Sequence, residues 1–159
     1  MYEPDDGMYQ GSYFCCIEQI GLQIEGSVLV KYTGKSRTLE IPAGITEIFD
    51  GALKDNLVVS SVTIPEGVTV IGEEAFSGCR YLKTVTIPST VEEIYENAFY
   101  GCVELEKVVL PSKLKKIRKF VFGYCNSLYL AREECLLHIL GVYKIRTGEV
   151  NYTHAVTHF

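Results

Sequence analysis

Basic charge is scarce in this chain. Fifteen Lys and Arg face twenty Asp and Glu, which leaves a net charge of −5. That balance argues against a general role on nucleic acid or on an anionic membrane surface. Long apolar runs are missing as well, so neither a transmembrane helix nor membrane insertion is expected. The opening stretch MYEPDDGMYQGSYFCC has no basic n-region and no apolar h-region. No secretory signal is read there, and the chain as written reads as cytoplasmic. Histidine is rare and badly placed for catalysis, since His138, His154 and His158 all fall in the last 22 residues. No Gly-rich phosphate loop, HExxH motif or nucleophile elbow is present. The expectation is a chain that is not an enzyme and needs no cofactor.

What the chain does have is a repeat. Pro42, Pro65, Pro88 and Pro111 stand 23 residues apart, and the residues around them keep step. Leu39/Ile41, Val62/Ile64, Val85/Ile87 and Val108/Leu110 precede the prolines. Ile45/Ile48, Val68/Ile71, Val91/Ile94 and Leu114/Ile117 follow them. Then come Ala52/Leu53, Ala75/Phe76, Ala98/Phe99 and Val121/Phe122, and after these the ladder Asn56, Cys79, Cys102, Cys125. A fixed period of this length belongs to a solenoid whose coils stack on their neighbours. The alternation in V-T-I-P predicts short strands near 39–41, 62–64, 85–87 and 108–110. Proline ends each strand because it cannot donate a ladder hydrogen bond. The stretch from Gly72 to Cys79 suits a helical turn with Ala75 and Phe76 pointing inward.

The pattern L-x-x-V-T-I-P-x-x-V-x-x-I-x-x-x-A-F-x-G-C closely resembles the BspA-type leucine-rich repeat. It covers residues 39–130 as four coils, with repeat 1 departing at Leu53 and Asn56. The resemblance implies a leucine-rich-repeat solenoid: a right-handed β/α superhelix, mostly β with short helical turns, with a parallel sheet on its concave side. It also implies a bacterial or protist surface, adhesion or interaction protein, and hence a cell-surface or secreted setting if the chain is a fragment.

The whole chain, 1–159, reads as one domain. Residues 1–16 form an N-terminal tail. Residues 17–38 hold a β-hairpin around Gly26-Ser27 that caps the first coil. Residues 39–130 are the four repeats. Past residue 131 the register breaks, because Glu133 and Glu134 fall where leucine and proline belong. Residues 131–149 then form an insert or a C-terminal cap. VNYTHAVTHF (150–159) can be laid on LEIPAGITEI (39–48) as a degenerate partial fifth coil. An open final coil would invite self-association at that end, so a homo-oligomer is a possible state.

Six cysteines are present: Cys15, Cys16, Cys79, Cys102, Cys125 and Cys135. Three form the ladder, where the simpler reading is buried thiols serving as small hydrophobes. A zinc alternative uses Cys135, His138, His154 and His158, whose spacing resembles that of ligands. The fifth-coil alignment instead makes His154 and His158 ordinary surface positions, so no metal is the preferred reading. The basic run SKLKKIRKF (112–120) places Lys115, Lys116 and Lys119 one period after Glu92, Glu93 and Glu96. Stacked coils would set these three pairs side by side.

For binding, the period gives the outward residues of the concave strands. They are Thr38 and Glu40, Ser61 and Thr63, Thr84 and Thr86, and Lys107 and Val109. Threonine favours strands for its own sake, yet the same residues offer a small, nearly uncharged surface to a protein partner. Tyr81, Tyr95, Tyr100, Tyr124 and Tyr129 vary between coils, and tyrosine is favoured at interfaces. The leading expectation is a non-catalytic protein-interaction module whose partner is unnamed by the sequence. The alternatives are a structural or self-associating element, or a cytosolic regulator or inhibitor of a specific protein.

Overall fold

The computed structural model describes residues 21–130. The readings for residues 1–20 and 131–159 fall outside the described residues. Among them are the tail, Cys15, Cys16, the insert, the fifth coil and the Cys135/His138/His154/His158 set.

Strands β1 (Leu22–Glu25) and β2 (Val28–Tyr32) form an antiparallel hairpin whose turn uses Gly26 at φ 60°. Each coil then contributes two short strands. Coil 1 carries β3 (Thr38–Glu40) and β4 (Glu47–Ile48), and coil 2 carries β5 (Ser61–Thr63) and β6 (Val70–Ile71). Coil 3 carries β7 (Thr84–Thr86) and β8 (Glu93–Ile94), and coil 4 carries β9 (Lys107–Val108) and β10 (Lys116–Ile117). Strand β11 (Tyr129–Leu130) starts a further turn. The result is a β-solenoid of about four turns with two ladders. One sheet runs β11-β9-β7-β5-β3 and is parallel throughout. The other runs β1-β2-β4-β6-β8-β10, parallel from β2 onward.

The first sheet is the one expected from V-T-I-P, begun one residue earlier than predicted. Leu39, Val62 and Val85 pair in register and point inward, with Thr38, Ser61 and Thr84 beside them. The second sheet was not expected as strands. Its inward residues, Ile48, Ile71 and Ile94, were placed in the core correctly and are fully buried. The hairpin joins this second sheet, because β2 pairs with β4 through Val28–Glu47 and Leu29–Ile48. Leu22, Leu29 and Tyr32 thereby cover the end of coil 1, as a solenoid cap must.

The expected helical turn is the main correction: among the described residues there is no helix. In the segment from Gly72 to Cys79 the backbone N–H groups alternate in their direction. Those of Ala75, Ser77 and Cys79 donate to carbonyls three residues back, at Gly72, Glu74 and Phe76. Those of Glu74, Phe76 and Gly78 donate to Glu96, Ala98 and Tyr100 in the next coil. A helix would take every N–H for itself and leave none for the neighbour. The chain alternates because two columns of residues are left-handed. One is Gly51, Glu74, Asn97 and Phe120; the other is Asp55, Gly78, Gly101 and Tyr124. The glycines of the second column answer that need directly.

The core is a set of stacked columns. Phe76 and Phe99 stack at 4.9 Å between ring centroids, and Phe99 and Phe122 at 5.5 Å, nearly parallel in both cases. Leu53 occupies the same column in coil 1 and is buried. Beside it, the thiols of Cys79, Cys102 and Cys125 are free and buried. Each donates to a backbone carbonyl of the preceding coil, Leu53, Phe76 and Phe99 respectively, at 3.1–3.2 Å.

Candidate functional site: the strand face and its apolar shoulder

The eight residues expected to face a partner share one surface, the outer side of the β3–β5–β7–β9 ladder. Thr38, Ser61, Thr84 and Lys107 are paired in register along it. Glu40, Thr63 and Thr86 form a second file, and Val109 follows just beyond β9. All are exposed except Ser61, which is half-buried and accepts from Thr84 Oγ1 at 3.0 Å. The face is thus mostly hydroxyl-bearing, with Glu40 and Lys107 as its two charges. Val109 is its one large apolar group, 54% exposed.

Just before these strands lies a depression of about 430 Å3 that the sequence reading did not find. Leu57, Val58 and Tyr81 supply its apolar lining, and all three are exposed. Arg37, Ser60 and Lys83 line it too, with Glu104 at the far side. Arg37, Ser60 and Lys83 are successive members of one column. Ser60 N–H donates to the Arg37 carbonyl at 2.7 Å, and Lys83 N–H to the Ser60 carbonyl at 2.8 Å. Lys83 Nζ lies 3.6 Å from Glu104 Oε2, a loose pair between two exposed side chains.

The depression comes from coil 1 departing from the repeat. Where coils 2 to 4 place a buried cysteine, coil 1 has Asn56. Its side-chain oxygen accepts from the N–H groups of Val58 and Val59 at 3.0 and 2.9 Å, an Asx turn. That turn fixes the loop with Val59 in the core and Leu57 and Val58 in solvent. The signal was legible in part: Asn56 stood out as a departure, and Tyr81 as a variable tyrosine. What could not be read was that they meet across two coils.

The other tyrosines separate. Tyr95 is half-buried, with Lys116 Nζ and the Arg118 guanidinium each 5.8 Å from its ring centroid. Tyr100 packs edge-on against exposed Tyr124 at 5.1 Å, above the backbone of Gly123, where a Cβ would come within 2.7 Å of the Tyr100 ring. Tyr129 belongs to β11. Tyr95, Tyr100 and Tyr124 do not line the depression.

The expected charge ladder forms for two of its three pairs. Lys115 Nζ meets Glu92 Oε2 at 2.7 Å, and Lys116 Nζ lies 3.4 Å from Glu93 Oε2 without hydrogen-bond geometry. Lys119 and Glu96 make no ion pair among the described residues; the Lys119 carbonyl instead accepts from Asn97 N–H. Two thiols of the cysteine ladder, Cys79 and Cys102, are chemically quiet. Burial pushes the Cys79 thiol up to about 12 from an ordinary 9.0. Its thiol neighbour Cys125, and then burial, raise Cys102 as well. Thiols held neutral in this way are poor nucleophiles and poor metal ligands. Among the described residues no cluster of three or more His, Cys, Asp or Glu could hold a metal ion. Nor is any helix there long and apolar enough to cross a membrane.

Two parallel ladders, stacked aromatic columns and a 23-residue turn define a leucine-rich-repeat solenoid. The family model described as BspA type leucine rich repeat region (6 copies) matches residues 46–133, and the chain belongs to that family. Among solved structures it is similar to the Treponema pallidum leucine rich repeat protein, at 28% identity and TM-score 0.66 over 68% of this chain and 56% of that one. It is similar to the pneumococcal vaccine antigen PcpA at 25% identity and TM-score 0.65, over 69% of this chain and 28% of that one. A leucine-rich repeat protein from Bacteroides capillosus shares the fold at 24% identity and TM-score 0.59, over 70% of this chain and 91% of that one. The chain therefore spans little more than half of the first of these relatives and under a third of the second. No curated protein matches it.

Proposed function

We propose that this chain is a non-catalytic protein-interaction module that binds a protein partner through the face of the β3–β5–β7–β9 ladder. The observation that carries the reading is the register. Eight outward residues from four coils, exposed Val109 among them, lie on one surface beside the exposed apolar groups Leu57, Val58 and Tyr81. An extended strand face with tyrosine and aliphatic groups at its edge suits a protein better than a small molecule. The buried, neutral thiols and the repeat family both favour a role without catalysis. The pneumococcal relative is a vaccine antigen, which favours a surface or secreted setting for the longer proteins that carry this unit.

The test is capture of a partner from the native source by the full chain, compared with a Thr63→Arg/Thr86→Arg variant. Both side chains are exposed, so the fold is retained. The reading expects a defined partner that is lost with the variant. A partner retained in full by the variant places binding elsewhere on the solenoid.

A further inference from the structure

We infer that the depression beside Arg37 and Lys83 is a docking site for an acidic segment of a partner polypeptide that also carries large apolar side chains. This rests on the interaction reading above and names the chemistry of one part of it.

Three observations point to that occupant. The first is charge. The chain as a whole is acidic, at −5, yet Arg37 and Lys83 stand in one column with only Ser60 between them. Neighbouring strands of a sheet are spaced about 4.8 Å apart, so the two backbones lie about 10 Å apart. Their long side chains can converge on neighbouring carboxylates. Arg37 makes no ion pair among the described residues, and Lys83 has only its loose contact with Glu104. The second is apolar exposure. Leu57 is 55% and Tyr81 50% exposed beside these cations. The third is rigidity. The Asn56 turn and the coil-to-coil hydrogen bonds of Arg37, Ser60 and Lys83 hold the backbone beneath the lining in place before any ligand arrives. A preformed site loses less entropy on binding. A cation-flanked apolar floor favours a segment whose carboxylates meet Arg37 and Lys83 while leucine or aromatic side chains cover Leu57 and Tyr81. It disfavours a basic or purely polar segment.

The test uses the full chain and a rhodamine-labelled, capped hexapeptide with leucine and phenylalanine at its centre and two acidic residues at each end. A control peptide carries lysines in place of the acids. Fluorescence anisotropy is expected to show binding of the acidic probe only, although the chain repels it overall, and binding should weaken as salt is raised. Arg37→Glu/Lys83→Glu is expected to lower the affinity by on the order of tenfold or more, since each attraction becomes a repulsion. Leu57→Ser/Tyr81→Ser should lower it comparably. All four side chains are exposed, and circular dichroism confirms that the variants fold. Methyl shifts of Leu57 and Val58 in the unmodified chain give a readout that needs no variant.

Equal binding of both peptides, an affinity unchanged by the charge reversal, or unmoved Leu57 and Val58 methyls would overturn the inference. A concentration-dependent dimer that Arg37→Glu/Lys83→Glu dissolves would also overturn it, by giving the surface to a second copy of the chain. If the peptide fails while Thr63→Arg/Thr86→Arg still abolishes partner capture, only this inference falls. If capture survives both sets of changes, the interaction reading falls with it.

Discussion

Coils 2 and 3 keep the repeat's core and the glycine of its second left-handed column, whereas coil 4 keeps the phenylalanine and cysteine columns but buries Leu114 and Ile117 less and departs in its turns. In coils 2 and 3, Phe76, Phe99, Cys79, Cys102, Leu82 and Leu105 have no solvent exposure. Their second left-handed column holds Gly78 and Gly101. In coil 4 the same column holds Tyr124 at φ 58°, and the first column holds Phe120 at φ 55°. Bulky side chains at such angles are strained by about 1–2 kcal/mol each. Leu114 and Ile117 are only partly buried, where their counterparts in coils 2 and 3 are fully so. The glycine of coil 4 has moved one place back, to Gly123, and the Tyr100 ring uses the space. The difference teaches that one buried pattern can carry coils of unequal stability. The columns fix where each coil sits, and the turn residues set how firmly it is held.

The largest test of that contrast is in the phenylalanine column. Phe99 has an aromatic neighbour on each side and no exposure. Phe99→Ala is expected to cost about 3–5 kcal/mol in urea unfolding. Phe122, 6% exposed, stacks on Phe99 alone among the described residues. Phe122→Ala should cost less, about 3 kcal/mol or below. A larger loss at Phe122 would break the comparison.

The thiol ladder gives a pH dependence. Burial raises Cys79 from 9.0 to about 12 in the fold. The neutral thiol is therefore favoured by folding. Its contribution is complete below pH 9 and is lost as pH rises from 9 through 12. The slope approaches 1.4 kcal/mol per pH unit for one thiol, about the linkage limit. Stability measured across that range should fall less steeply in Cys79→Ala than in the unmodified chain. Parallel slopes would show that Cys79 does not titrate with unfolding.

These expectations separate what the sequence makes legible from what it hides. The proline period and the inward positions were readable because every coil repeats them, and the stacked phenylalanines stand where that period puts them. The first ladder began one residue early because Thr38, Ser61 and Thr84 already pair across coils. The second ladder escaped notice because Glu47–Ile48 and its counterparts are two residues long, too short for a period-two signal. The left-handed columns were masked because Glu74, Asn97 and Phe120 share no residue type that announces a positive φ. The strand face followed directly from the period. The depression did not, because Arg37, Asn56, Leu57 and Tyr81 are departures from the repeat rather than parts of it.

A smaller effect separates coil 3 from coil 4 by charge. Lys115→Glu/Lys116→Glu would set four carboxylates on two neighbouring coils. The exposed pairs lost are worth about 0–1 kcal/mol each. The reversal should lower stability by about that amount per pair, and adding Glu92→Lys/Glu93→Lys should restore it. Failure of the restored pair to recover stability would remove the ladder from the account.

The smallest effect lies in the turns. Phe120→Asn, which copies Asn97 of coil 3, should raise stability by about 0.5–1 kcal/mol, because asparagine tolerates the left-handed angle. The converse change, Asn97→Phe, should lower it by a similar amount. A loss at Phe120→Asn would mean that the exposed ring makes contacts that outweigh its strain.

The graded stability of the coils is tested most directly by native-state hydrogen exchange, resolved amide by amide. Phe76 N–H and Gly78 N–H donate from coil 2 to Ala98 and Tyr100 of coil 3, while Gly123 N–H and Cys125 N–H donate within coil 4 to Phe120 and Phe122. A nearest-neighbour solenoid opens first where its coil is least well held. Phe76 and Gly78 should exchange only through global unfolding, and Gly123 and Cys125 through a smaller opening of lower free energy. Equal opening free energies for all four amides would contradict the account and make the solenoid a single cooperative block.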